Sequence, residues 1–230
     1  MNKKKIIIIS AALLAAAAII TAGILIWRNA AGKSDKENTA AGTSAQEEAK
    51  TYISADLYVS DLFKYSGKYV EDRSDEDVED IAAIRLTNGG DKDYEYIEFT
   101  VKTADDEYSF KASGILAGES VLVLSADKKE INGEGAVASG ECTVLSEYTF
   151  KPTMLGDMFE VYQSAPSVTI KNISGRELKG KICIYYKNTG EDGLLGGITY
   201  RFSIDSLGKD EMQQRTSEHL GKVLFITYDE

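Results

Sequence analysis

The chain has 230 residues, with 37 acidic against 26 basic side chains and a formal net charge of −11. A body of that sign repels phosphate backbones, so nucleic-acid binding is not expected. His219 is the only histidine and Cys142 and Cys183 the only cysteines, which leaves little material for a histidine-based catalytic constellation.

In chain order, a basic head (residues 1–5) precedes an uncharged, apolar run of 22 residues from Ile6 to Trp27. At ~1.5 Å per residue this run makes a helix of ~33 Å, enough to cross a hydrocarbon core of ~30 Å. A cleaved signal peptide has a shorter apolar stretch and a small-x-small cleavage site. Here the run ends in the interfacial pair Trp27-Arg28, and Asn29-Ala30-Ala31 offers asparagine where a small residue is wanted. The segment therefore reads as an uncleaved signal anchor and a single membrane span. Basic residues balance across it, three on each side, so orientation rests on the short head staying inside while the long tail is exported. Pairs such as Ala12/Ala16 suit close helix–helix approach, which makes recruitment into a membrane complex through the span an alternative role. Residues 28–51 hold almost no large apolar side chain and read as a flexible tether spanning roughly 25–30 Å.

Beyond the tether the pattern is strand-like. Alternation is clear at Ile97-x-Phe99-x-Val101, Ile182-x-Ile184-x-Tyr186 and Ile198-x-Tyr200-x-Phe202-x-Ile204, with Gly, Asn and Asp between the runs. Ala55 to Tyr65 suits either a strand pair or a short amphipathic helix. Charge is uneven: residues 51–150 carry 22 acids and 9 bases, residues 151–230 carry 11 and 10. A repeat of ~85 residues is readable, a size that suits one small β-sandwich per copy. Ile84 to Asn88 lies over Val168 to Asn172, Ile97 to Val101 over Ile182 to Tyr186, and Leu116 to Ser120 over Leu207 to Glu211. The expected fold is all-β, with two small Ig-like β-sandwich modules in tandem at residues 52–150 and 151–230.

The second copy resembles the FxLYD-type extracytoplasmic modules of bacteria. The residues that carry the resemblance are Val168 to Asn172, the Ile173-Ser174-Gly175 turn, Ile182 to Tyr186, and Leu207-Gly208-Lys209. It departs from them in having Ile for Phe and Tyr186 for Asp in the namesake strand. The resemblance implies a non-catalytic envelope module and transfers no functional residue.

Candidate chemistry is thin. His219 lies in the polar stretch Thr216-Ser217-Glu218-His219 and reads as a solvated loop residue. Asp91-Lys92-Asp93-Tyr94-Glu95 alternates acids, but Tyr96 and Lys102 stand where a calcium loop of the EF-hand type needs Gly and Glu. The seven acids between Glu71 and Asp80 read as a solvated run. Gly193-Leu194-Leu195-Gly196-Gly197 lacks the Lys-Ser/Thr of a phosphate loop and reads as a hairpin turn. Cys142 and Cys183 read as small buried thiols. No catalytic residue, metal or cofactor is expected. Tyr185, Tyr200 and Phe202 are the candidate contacts for a partner, an envelope protein or a glycan. The reading is a non-enzymatic binding or accessory protein, anchored in the cell membrane with its C-terminal body outside. A carboxylate-dependent cell-wall or glycan enzyme is the alternative.

Overall fold

The computed structural model describes residues 50–230, and every regular element among them is a β-strand. The expected head, membrane span and most of the tether lie outside the described residues. Ala55 to Tyr65 resolves into strands rather than a helix. The first eight strands are β1 (Thr51–Tyr52), β2 (Leu57–Val59), β3 (Phe63–Lys68), β4 (Asp77–Asn88), β5 (Tyr94–Lys102), β6 (Glu107–Ile115), β7 (Ser120–Leu124) and β8 (Ser139–Glu147). The rest are β9 (Phe159–Ser164), β10 (Ser167–Asn172), β11 (Leu178–Gly190), β12 (Gly193–Leu207), β13 (Met212–Thr216) and β14 (Lys222–Asp229).

Two three-stranded sheets, β6-β5-β8 and β13-β10-β9, face one eight-stranded sheet of order β1-β2-β4-β7-β12-β11-β14, with β3 also paired to β4. Alternation decides which side chains turn inward. Phe99 and Phe110 meet across β5 and β6 with ring centroids 5.2 Å apart, in a core with Leu57, Ile84, Leu86 and Val121. A second core gathers Val168, Ile170, Ile184, Leu207 and Ile226. Each fully buried Leu or Phe contributes roughly 1.5–3 kcal/mol relative to exposure. Strand β4 departs from alternation: Ile81 to Ile84 are all buried. Ala82 and Ile84 face the first core, whereas Ile81 and Ala83 join Tyr69, Val70 and Leu124 on the other face. A strand covered on both faces reads as a continuous apolar run.

The repeat is visible atom by atom. Asn88 ends β4 and Asn172 ends β10, both fully buried. The Asn88 amide donates to the carbonyls of Lys92 (2.8 Å) and Ile115 (3.3 Å) and accepts from the Gly90 N–H (3.1 Å). The Asn172 amide donates to Arg176 (2.7 Å), Leu207 (3.0 Å) and Gly208 (2.9 Å) and accepts from the Ser174 N–H (3.0 Å). Their backbone N–H groups donate to the carbonyls of Glu119 (2.9 Å) and Glu211 (3.0 Å). Ile115, not Leu116, is therefore the counterpart of Leu207, one residue from the register expected from sequence. Gly118 and Asp210 then fall on the same left-handed turn position, with φ of 75° and 59°, a conformation that Gly and Asp tolerate best.

The two repeats join edge to edge. Strand β7 pairs in parallel with the start of β12, Val121 with Leu194 and Leu122 with Leu195, the one parallel pairing among the described strands. The glycine-rich stretch 193–197, expected as a turn, is thus the beginning of a strand. Behind it, Tyr148 and Phe150 of the connecting segment pack edge-on against Phe225 of β14.

Candidate functional site

The seam between the repeats concentrates the buried polar chemistry. The segment leaving β3 crosses it. The hydroxyl of Tyr200 on β12 donates to the Val70 carbonyl. The next residue, Glu71, accepts from the Leu124 N–H of β7 (2.9 Å) and from the Gly197 (2.9 Å) and Ile198 (3.1 Å) N–H groups of β12. One carboxylate thereby fastens two strands from different repeats. Burial pushes its pKa up, opposed by the three N–H donors and by the nearby Lys187 ammonium.

Lys187 on β11 is fully buried. Its Nζ donates to the Ser113 carbonyl of β6 (2.8 Å) and to the Gly197 carbonyl of β12. Loss of water pushes its pKa down to about 7, against the favourable fields of Glu71 and Glu119. Thr199 completes the seam: its N–H donates to Ser113 Oγ (2.8 Å) and its hydroxyl to the Ser113 carbonyl (2.6 Å). Close approach here depends on Gly197, since a β-carbon at that residue would overlap the Lys111 carbonyl oxygen and press on Val123 Cγ1 at 2.9 Å. The Gly197→Ala variant is expected to lose about 2–4 kcal/mol in urea denaturation, because backbone rather than a flexible side chain must move. A loss under about 0.5 kcal/mol would show that the seam yields freely.

Beside this fastening lies a cavity of about 210 Å³ between the 69–76 segment and the second repeat. Tyr186 and Tyr200, ring centroids 5.9 Å apart, form one wall. Arg73 sits 4.5 Å over the Tyr200 ring, and Asp75 pairs with His219 Nε2 at 3.0 Å. Asn188, only 6% exposed, belongs to the same wall, and neither its amide nitrogen nor its amide oxygen has a hydrogen-bond partner. An unpaired buried amide costs roughly 1–3 kcal/mol, so buried amides are normally satisfied. A second cavity, of about 390 Å³, shares Asn188, His219 and Val70 and continues along Ala165, Pro166 and Leu220. The loop that roofs it is tied down by Gln163, whose amide donates to the Gly221 carbonyl and accepts from the Val223 N–H (3.2 Å). The arrangement offers paired donor and acceptor atoms, aromatic walls and both charge signs, the makings of a binding site.

The residues expected from sequence fall as follows. Tyr200 is buried at the cavity, and Phe202 packs half-buried on the second core, both on the Tyr186 face of the sheet. Tyr185 lies on the opposite face, stacked on Phe225 at 4.3 Å. The three therefore do not converge. His219, expected as a solvated loop residue, is half-buried and paired. In the acidic run, Lys128 binds Glu76 (2.5 Å) and Asp72 (3.5 Å), and Lys68 binds Asp77 (2.8 Å). Among the described residues no group of three or more His, Cys, Asp or Glu side chains is placed to hold a metal ion. Cys142 and Cys183 are free thiols. Comparison with family models, with curated proteins and with solved structures finds no match to this chain.

Proposed function

We propose that the chain is a ligand-binding or accessory protein of the bacterial cell envelope, held in the cell membrane by residues 6–27, with its C-terminal body outside. On this reading residues 52–150 and 151–230 are two Ig-like modules in tandem, the second of FxLYD type. The repeated asparagine caps at Asn88 and Asn172 support that division. The observation that carries the binding role is the seam cavity, where the unpaired Asn188 amide meets Tyr186, Tyr200 and the Asp75–His219 pair. Binding between modules also accounts for the outlay of buried polar groups at the seam, since a cleft between two rigid bodies is a frequent ligand site. An envelope protein is the expected partner, with the span serving as anchor.

Two measurements test this. Alkaline extraction should leave the chain with the membrane, and protease added outside spheroplasts should digest residues 50–230. A photo-crosslinking side chain at His219 should capture one envelope component that the same group at Tyr52, 60% exposed in the first repeat, does not. Release from the membrane, or identical capture from both positions, would sink the proposal.

A further inference from the structure

We infer that the seam cavity reads a peptide bond: its ligand is a short extended polypeptide segment whose main-chain amide pairs with the side chain of Asn188. This rests on the binding role proposed above and names its chemistry. An asparagine side chain holds one acceptor and one NH₂ donor in a plane. The complement that satisfies both at once is another planar amide presenting N–H and C=O. Asn188 is the one cavity residue with both atoms unpaired, whereas Asp75 and His219 satisfy each other and the Tyr200 hydroxyl is spent on Val70.

The cavities on either side choose among amides. The first is walled by Val70 and the two tyrosines, the second by Ala165, Pro166, Leu195 and Leu220. The apolar parts of these walls, on either side of an amide-reading residue, suit the side chains that flank a peptide bond. An acetylated sugar would instead bring a ring of hydroxyls, which the Val70, Ala165, Pro166, Leu195 and Leu220 parts of the walls cannot pair. The rim carries both Arg73 and Asp75, and Lys68 and Glu218 both line the second cavity, so a neutral segment is favoured over a charged one.

Both amide atoms are closed to bulk solvent, so the ligand meets them only when a wall parts. The tip at Arg73 and Asp75 is the wall we take to part. Both residues take left-handed backbone angles, φ of 62° and 53°, and their contacts across the seam are Arg73 on Tyr200 and Asp75 on His219.

The test is a titration of the full 230-residue chain, ¹⁵N-labelled in detergent micelles, with the blocked dipeptide N-acetyl-Leu-Ala-methylamide and, separately, with chitotriose. The dipeptide should shift the Asn188 side-chain NH₂ signals saturably in the millimolar range, and Asn188→Leu should weaken its binding at least tenfold, about 1.4 kcal/mol. The same variant should melt no lower than the parent, because it removes an unpaired buried amide. That melting result separates loss of binding from loss of fold. If chitotriose alone moves the Asn188 signals, or if neither ligand moves them while crosslinking through residue 219 persists, the peptide assignment falls and the binding role stands. Unchanged dipeptide affinity in Asn188→Leu also overturns it.

Discussion

The Asn172→Leu variant is expected to unfold with a free energy about 3–5 kcal/mol below the parent, among the larger losses for a single substitution. Leucine keeps the branched outline of asparagine and is the bulkier of the two, so the loss does not come from a cavity. Without the amide, the buried Leu207 carbonyl, the half-buried Gly208 carbonyl and the Ser174 N–H lose this partner. Asn88→Leu strips one carbonyl fewer and is expected to lose about 2–4 kcal/mol. Urea denaturation at constant m-value measures both. A loss below about 1 kcal/mol in each would mean that water replaces the amide without penalty. The comparison with Asn188→Leu is the sharper form of the test. One substitution at three buried asparagines should destabilise two and spare the third, because the sign follows whether the amide is already paired.

The second large effect is a pH dependence from Lys187. An unfolded lysine keeps its proton to about pH 10.5, whereas burial holds the folded one near pH 7. Between those values the unfolded chain binds more protons, so folding free energy rises with pH. From pH 7 to pH 9 the gain attributable to Lys187 is about 2 kcal/mol. The window stops there because burial raises the pKa of Tyr69, Tyr148 and Tyr200 above the usual 10, which removes stability through different groups as the pH rises further. In Lys187→Met the rise should vanish. Glu71, pushed up by burial and now without its cationic neighbour, acts in the opposite direction, because a raised carboxyl gives stability that is lost as the pH rises. Chemical denaturation of both proteins at pH 7, 8 and 9 decides the matter. Parallel pH profiles would show that Lys187 does not change protonation there.

What the sequence discloses depends on how far apart the interacting residues are. Alternation at Ile97, Phe99 and Val101 announces a strand because the pattern is local, and the all-β class follows from many such runs. The repeat is legible too, yet its register slips at Leu116. Ile115 and Leu116 are both apolar, and only the pairing of Tyr94 with Ile115, matching that of Leu178 with Leu207, tells them apart. Glu71 is hidden among seven acids, since nothing adjacent marks the one whose donors sit on Leu124, Gly197 and Ile198. His219 finds Asp75 from the far end of the chain. Asn188 looks like any strand-end asparagine, and only the fold reveals that its amide is unpaired while those of Asn88 and Asn172 are not. Alternation separates the face of Tyr185 from that of Tyr186, but burial of Tyr200 follows from the Val70 segment crossing over it.

The order of the large sheet has a mechanical corollary. Its outermost strands, β1 and β14, carry the first and last of the described strands, with the Glu71–Lys187 fastening near the middle of the row. Tension drawn between the two termini would peel hydrogen bonds from the margins inward, one strand after another, so the central joint would be the last to part.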